Sequence, residues 1–394
     1  MGYDISYIDS IKGGFLVLRI PVRKLKEGMI VSQSIFNKRG GSYLVKGQPL
    51  SSQYIEQLER LGIPTVTVTS ADPSLKIAPP DDVVEEVTRL VAIERMFDTF
   101  QSVENTGEFD VQTVQDVSDT IIFDIIQKKN NLVQLTDIRL HDTYTFAHSV
   151  NVAILSAMLG LLCHYSKQDL SLLTLGALLH DLGKVSIDTD ILTKPKRLTK
   201  TEFDIIKNHP LTGSAKIHEM GPRLPSPSIL AAIASQHHEH IDGTGYPRGI
   251  TGNKIHKFAK IVAIADVYDA LTSERPYKKA YTPSIAFNIM TNVNKGQFDP
   301  ELLKLFFDNV ALYPVGTVVK TVYGFGVVTE CKFGHTRTPK VCIFADKEGR
   351  ILDDPIRIDL TSDGSRAVEG VVSGIELLHF IHEIHIDPSA YLAE

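Results

Sequence analysis

Ten of the fourteen histidines lie between His141 and His256, and several of them stand at an end of an apolar segment. His148 opens the stretch SVNVAILSAM. His180-Asp181 closes the run LSLLTLGALL and leads into Leu182-Gly183-Lys184. His209 ends LTKTEFDIIKNH, His237-His238 follows AAIASQ, and Asp266 sits inside KIVAIADVYDAL. A carboxylate flanked by Ile264, Ala265 and Val267 is costly to bury alone, because desolvating an unpaired charge is strongly unfavourable. Val262, Asp266 and Ala270 share one helical stripe, with Asp269 nearby. No Lys or Arg inside the apolar segments offers an obvious counter-charge. A metal cation is the partner this pattern points to.

Five imidazoles and two carboxylates are too many for one ion and suit two. His148, His180, Asp181 and Asp266 are expected around the first ion. Asp181, His209, His237 and His238 are expected around the second, with Asp181 as the bridge. Mixed imidazole and carboxylate ligation without thiolate suits iron or manganese, with zinc or nickel as alternatives. Two such ions polarise phosphoryl oxygens and turn a bridging water into hydroxide near neutral pH. That is equipment for in-line attack on a phosphodiester. Lys184, one turn after His180, is placed to hold the hydroxide or to stabilise developing charge, so Lys184 and Asp181 are the expected catalytic pair. A lone histidine on an apolar helix is usually a satisfied core residue. That plain reading is kept for His164, His218, His240 and His256.

The segments HDLGK, HHEHIDGTGYPRG, ADVYDAL and SERPYK resemble the HD-GYP subgroup of the HD phosphohydrolase superfamily, over about Val111 to Phe306. The resemblance implies a helical fold, a bimetal or trimetal site, and hydrolysis of cyclic di-GMP to linear pGpG, in some members onward to GMP. Carried over by motif, the ligands are the same seven residues. The resemblance also assigns Gly243, Gly245, Tyr246 and Pro247 to a signature loop beside the substrate. It matches Arg275 and Lys278 to positions that hold substrate phosphate, a role their charge fits. The competing readings are turn formation for the glycines, packing for Tyr246 and solvated surface charge for Arg275 and Lys278. Some members with a third metal carry a glutamate four residues before the first histidine. Here that residue is Tyr144, so two ions are expected. His141-Asp142 is also an HD pair, but it lacks the preceding apolar run and the following Gly-Lys, and reads as helix surface.

These ligands need a helical frame, and apolar residues three and four apart supply one from Val83 to about Tyr313. Thr199 and Glu202 have the spacing of a capping box. Residues 1 to 80 alternate short apolar stretches with turn residues around one helical segment, SSQYIEQLERLG, and Ala78-Pro79-Pro80-Asp81-Asp82 reads as a linker. After Tyr313-Pro314 the segments TVVKTVYGFGVVTECKF, PKVCIFAD and DPIRIDL are β-branched or alternating. The expected architecture is multidomain: an all-α HD-GYP core (81–313), a small α+β N-terminal module (1–80) and a small β-rich C-terminal module (314–394).

A net charge of −6 argues against a nucleic-acid polymer as partner. Three scattered cysteines form no CxxC pair and fit a reducing cytoplasm. No leader pattern and no apolar run of spanning length is present, so no membrane insertion is expected. The expected partner is a cyclic dinucleotide; a homodimer and signalling-protein partners are compatible with the flanking modules. A non-hydrolytic cyclic-dinucleotide receptor or protein-interaction adaptor is the competing function, and a general mononucleotidase the third. Intact metal ligands favour the phosphodiesterase over the receptor, and the GYP loop and SERPYK segment favour it over the mononucleotidase.

Overall fold

The computed structural model describes residues 18–22, 25–31, 34–36, 42–60, 65–69, 83–128, 144–192, 194, 196, 198–273, 281–315, 317–332, 334–362 and 367–372. The chain divides into two compact units. One combines 1–36, 42–81 and 308–394; the other spans 82–307 together with 37–41.

The first unit holds two sheet-based cores. Strands β1 (Leu18–Pro21), β2 (Ile30–Val31), β3 (Ile35–Phe36) and β4 (Ser42–Leu44) precede helix α1 (Ser52–Arg60) and strand β5 (Thr65–Thr69). The valines of β5 alternate with threonines, and β5 pairs antiparallel with both β1 and β2. Val31, Leu44, Leu58 and Val66 are buried in this core. The second core belongs to β6 (Val318–Thr321), β7 (Gly324–Glu330), β8 (Lys340–Ala345), β9 (Ile351–Asp359) and β10 (Val368–Val371). They form one antiparallel sheet in the order β10-β6-β7-β8-β9. Successive residues of a strand face opposite sides. Val319, Val341 and Ile343 accordingly pack into one cluster, and Val318 and Phe344 into another.

The second unit is helical: α2 (Glu86–Thr106), α3 (Val111–Gln127), α4 (Tyr144–Leu162), α5 (Lys167–Leu178), α6 (Thr189–Leu192), α7 (Lys200–Ile206), α8 (His209–Met220), α9 (Pro227–Gln236), α10 (Lys257–Thr272), α11 (Pro283–Asn288) and α12 (Pro300–Phe307). Helices α4 and α10 are apolar nearly all round and so must be central. α4 packs against α5 and α10, and α9 against α5, α8 and α10. Val150, Ile154, Leu173, Ile233, Ile261 and Ile264 are fully buried there. Among the described residues, no helix is long and apolar enough to cross a membrane.

Two local details set the site. The capping box forms as the spacing predicts: Thr199 Oγ1 accepts from the Glu202 amide at 3.2 Å, and the Thr199 amide donates to Glu202 Oε2 at 2.7 Å. The capped helix, however, stops at Ile206, and His209 begins α8 instead of ending α7. Pro210 explains the break. It has no N–H to give to the carbonyl of Ile206 four residues earlier, and its ring crowds that carbonyl. Proline is well tolerated in a first helical turn, so a new helix starts there.

The second detail is Gly183, in the 3-10 turn Leu182–Ser186 that follows His180-Asp181. A Cβ on Gly183 would stand 2.0 Å from the His209 carbonyl oxygen and 2.5 Å from the Gly213 amide nitrogen. Both are backbone atoms that cannot rotate away, so the glycine lets the turn carrying two ligands touch the helix carrying a third. Gly183→Ala is expected to destabilise the helical unit by about 1–3 kcal/mol or more. Chemical denaturation checks this, and an unshifted midpoint would mean that the turn and α8 tolerate separation.

Candidate metal centre

Four of the predicted histidines have an Nδ1 held by an acceptor. His180 Nδ1 lies 2.6 Å from the Ala177 carbonyl, His209 Nδ1 2.7 Å from that of Ile206, and His237 Nδ1 2.8 Å from that of Ala234. In every case the carbonyl belongs to the residue three positions back. A carbonyl only accepts, so Nδ1 carries the proton and Nε2 presents its lone pair. For His209 the acceptor is the carbonyl that Pro210 leaves without its helical donor. His148 uses a side chain instead: its Nδ1 is 2.7 Å from Asp269 Oδ2.

The Nε2 atoms converge on the two predicted carboxylates. His148 Nε2 is 3.0 Å from Asp266 Oδ1 and 3.9 Å from Asp181 Oδ2. His180 Nε2 is 3.4 Å from Asp181 Oδ2. On the other side, His209 and His237 Nε2 lie 3.2 and 3.8 Å from Asp181 Oδ1. His238 reaches Asp266 with Nδ1, at 3.6 Å from Oδ2. In each of the triplets His148–His180–Asp266, His180–Asp181–His237 and His209–His237–His238, the donor atoms lie within 4.8 Å of one another. All seven residues predicted from sequence as ligands are thus brought together, and Asp181 stands between the groups.

Their electrostatics fit cations. Burial pushes the Asp181 carboxyl up, but Lys184 and His180 outweigh it and hold it well below the usual carboxylate range. Burial also opposes ionisation of Asp266, and the hydrogen bond from His148 and the charge of His238 reverse that. Desolvation and the neighbouring imidazoles keep His237 neutral, and burial lowers His238 to about 3. Burial lowers His148 as well, but hydrogen bonds to Asp266 and Asp269 overcome it and raise the ring to about 9. Coordination through its Nε2 requires that proton to leave. Ionised carboxylates and neutral imidazoles are the protonation states that metal ligands need. Moreover, His180 Nε2 and Asp181 Oδ1 are buried without a hydrogen-bond partner. Such atoms are costly unless something satisfies them, and a divalent cation beside both would do so.

Lys184 Nζ lies 2.5 Å from Asp181 Oδ2, and the side chain is 25% exposed. Its charge therefore stands at the edge of the cluster, open to a bound molecule. The signature loop closes the other side. Gly243 adopts φ +83°, a left-handed conformation. A Cβ on Gly245 would meet the His240 amide nitrogen at 2.3 Å and the His238 carbonyl at 2.5 Å. The Tyr246 amide donates to that same carbonyl at 3.0 Å. The Tyr246 ring stacks on His238 with centroids 4.7 Å apart and planes at 28°. Tyr246 and Pro247 also line a hollow of about 600 Å³, together with Asp204, Ile205, Lys207 and Leu211. Arg275 and Lys278 lie outside the described residues, as do His141 and Asp142.

Two carboxylates that hold a ligand or the signature loop in place were not singled out from sequence. Asp269 is fully buried behind His148, and its place one helical turn after Asp266 was the available signal. Glu239 is buried within HHEH. Its Oε1 and Oε2 accept from the amides of Arg248 at 2.8 Å and Ile250 at 3.1 Å, which clamps the signature loop. A lone glutamate between histidines carries no spacing signal for that role. Glu239→Ala is expected to accelerate hydrogen exchange at Arg248 and Ile250 and to lower kcat/KM about tenfold or more, in line with the loss of charge-assisted hydrogen bonds, while metal content stays intact. Unchanged exchange would show that the loop holds itself.

The chain matches the HD domain family over residues 123–302. It is 31% identical over 378 residues to a cyclic di-GMP phosphodiesterase of Pseudomonas aeruginosa, covering 89% of this chain and 90% of that protein. It is 40% identical over 135 residues to the cyclic di-GMP phosphodiesterase response regulator RpfG of Xanthomonas campestris pv. campestris, covering 34% of this chain and 35% of that protein. Among solved structures, an HDG"Y"P protein from Bdellovibrio bacteriovorus aligns over 73% of this chain and 97% of its own, with a TM-score of 0.45 and 17% identity. Given the near full-length relative, the HD-domain match and the paired segments HDLGK and HHEHIDGTGYPRG, the chain belongs to the HD-GYP family of HD-domain hydrolases.

Proposed function

We propose that this chain is a metal-dependent phosphodiesterase that hydrolyses cyclic di-GMP to linear pGpG. The observation that carries the reading is the buried cluster of five imidazoles and two carboxylates, in which His180 Nε2 and Asp181 Oδ1 have no hydrogen-bond partner. Cyclic di-GMP is preferred over other cyclic dinucleotides because the relative that matches along most of the chain bears that activity in its name.

In this reading His148, His180, Asp181 and Asp266 hold one ion, and Asp181, His209, His237 and His238 a second. Iron or manganese suits this thiolate-free donor set best, ahead of zinc or nickel. Bound there, divalent ions supply Lewis acidity to a phosphoryl oxygen and lower the pKa of an attacking water. The protein's own groups do the rest. Asp181 shares its two oxygens between the two sides of the cluster. Lys184, paired to Asp181 Oδ2 and partly open to solvent, offsets negative charge that develops on the phosphorane. Gly243, Gly245, Tyr246 and Pro247 shape the wall against which the dinucleotide lies, and Arg275 and Lys278 hold its phosphates. The catalytic domain is assigned to 81–313, and segments 1–80 and 314–394 lie outside it.

Protein purified without oxygen and loaded with iron or manganese is expected to convert cyclic di-GMP to pGpG. Asp181→Ala should lose metal and turnover together, whereas Arg275→Ala should raise KM about tenfold, a charge-assisted contact's worth, with metal content unchanged. Tight binding of cyclic di-GMP by metal-loaded protein with no product would make the chain a receptor. Preference for mononucleotides in a substrate panel would make it a general nucleotidase.

The metal count has its own test. Two ions per chain are expected in the wild type by elemental analysis, and Tyr144→Glu should raise the count to three. A count of two in that variant would separate residue 144 from metal number.

A further inference from the structure

Three of the metal-facing rings are oriented by a carbonyl of their own turn, but His148 is oriented by side chains drawn from three helices. His148 and Asn151 lie on α4, Asp269 on α10 and Arg89 on α2. Asp269 Oδ2 is 2.7 Å from His148 Nδ1, and Asp269 Oδ1 accepts from Asn151 Nδ2 at 2.9 Å. Asn151 Oδ1 in turn accepts from the Arg89 guanidinium at 2.6 Å. Arg89 is 1% exposed, His148 4% and Asp269 0%.

The order of donors in this chain is forced. A guanidinium only donates, so it fixes Asn151 with its oxygen toward α2 and its amino group toward Asp269. The carboxylate of Asp269 only accepts, so it fixes the proton on His148 Nδ1 and leaves Nε2 facing Asp266. Remove the guanidinium, and the Asn151 amide loses the contact that tells its two ends apart. Simple packing does not call for this arrangement, since apolar residues of similar volume usually replace buried charge networks without loss of stability.

We propose that Arg89 is a positioning residue for His148, acting through Asn151 and Asp269, so that helix α2 sets the geometry of one metal position. The proposal rests on the metal reading above. Because coupling is reciprocal, seating the metal also secures α2. The first helix of the domain thereby becomes an element through which a displacement alters metal affinity.

The test compares Arg89→Met, Arg89→Lys and Met96→Ala with the wild type by manganese titration of metal-stripped full-length protein. Thermal midpoints, kcat and KM are measured alongside. Met96 is fully buried on the same helix and outside the network, so its truncation reports loss of packing alone. Arg89→Met is expected to weaken manganese binding about tenfold to hundredfold, the usual cost of an outer-shell partner, and Arg89→Lys should recover part of it. Met96→Ala should lower the thermal midpoint with manganese affinity unchanged. At saturating manganese, the Arg89 variants should regain most of kcat with KM for cyclic di-GMP little altered. Equal manganese affinities in Arg89→Met and the wild type, or equal losses in Arg89→Met and Met96→Ala, would overturn the proposal. Should Arg89→Met fail to fold, hydrogen exchange of the wild type decides: manganese must protect α2 more than α3, and equal protection overturns the relay. Wild-type protein that takes up no manganese, or any other divalent ion, overturns the metal reading as well; normal uptake with unmoved variants overturns the relay alone.

Discussion

Asp181 and Asp266 are carried as charged groups into the interior of a helical bundle, and the surroundings of both are arranged to keep them ionised. Burial opposes that state, and hydrogen bonds and positive charge restore it. The single lysine at Asp181 stands at the edge of the cluster and engages one oxygen. What remains is a set of inward lone pairs from imidazoles, four of which have their outer nitrogen already committed. This is a built arrangement, because each ring's orientation costs a specific partner. Three carbonyls, one carboxylate and the stacked Tyr246 ring account for the five histidines.

Much of the site was legible because its signals are local. His180-Asp181 after an apolar run, the His237-His238 doublet and an aspartate amid Ile264, Ala265 and Val267 each mark a polar group where burial is expected. The capping box at Thr199 and Glu202 and the β-branched run after Tyr313 are equally local, and each coincides with the described element. What the sequence hid depends on pairs distant in the chain. Asp269 gains meaning only once α10 lies against α4, and Arg89 only once α2 covers Asn151. Glu239 reads as one more acidic residue until the loop folds back over it. No Lys or Arg inside the apolar segments answers Asp266, whereas the buried Arg89 lies on α2 and reaches Asp269 through Asn151. His209 stands at the beginning of a helix, not at the end of one, because Pro210 follows it.

Glycines in the motifs serve proximity more than flexibility. Gly183 lets a turn rest on the backbone of α8, and Gly245 lets the signature loop rest on the backbone of the histidine doublet. In the first case two ligand-bearing segments, and in the second the histidine doublet and the signature loop, approach closer than a side chain would allow. The motif letters between the ligands are therefore part of the ligand geometry, even though they donate nothing to a cation.

The carbonyls that pin His180, His209 and His237 belong to the final turns of α5, α7 and α9. A helix presents a partial negative charge at that end, so three such ends converge on the same small volume as two ionised carboxylates. Lys184, the protonated His148 ring and the N-terminus of α8 offset that negative field in part. A divalent cation seated there would turn the remaining field attractive to an anion. Under the proposed function, nucleotide affinity would then rise with cation occupancy.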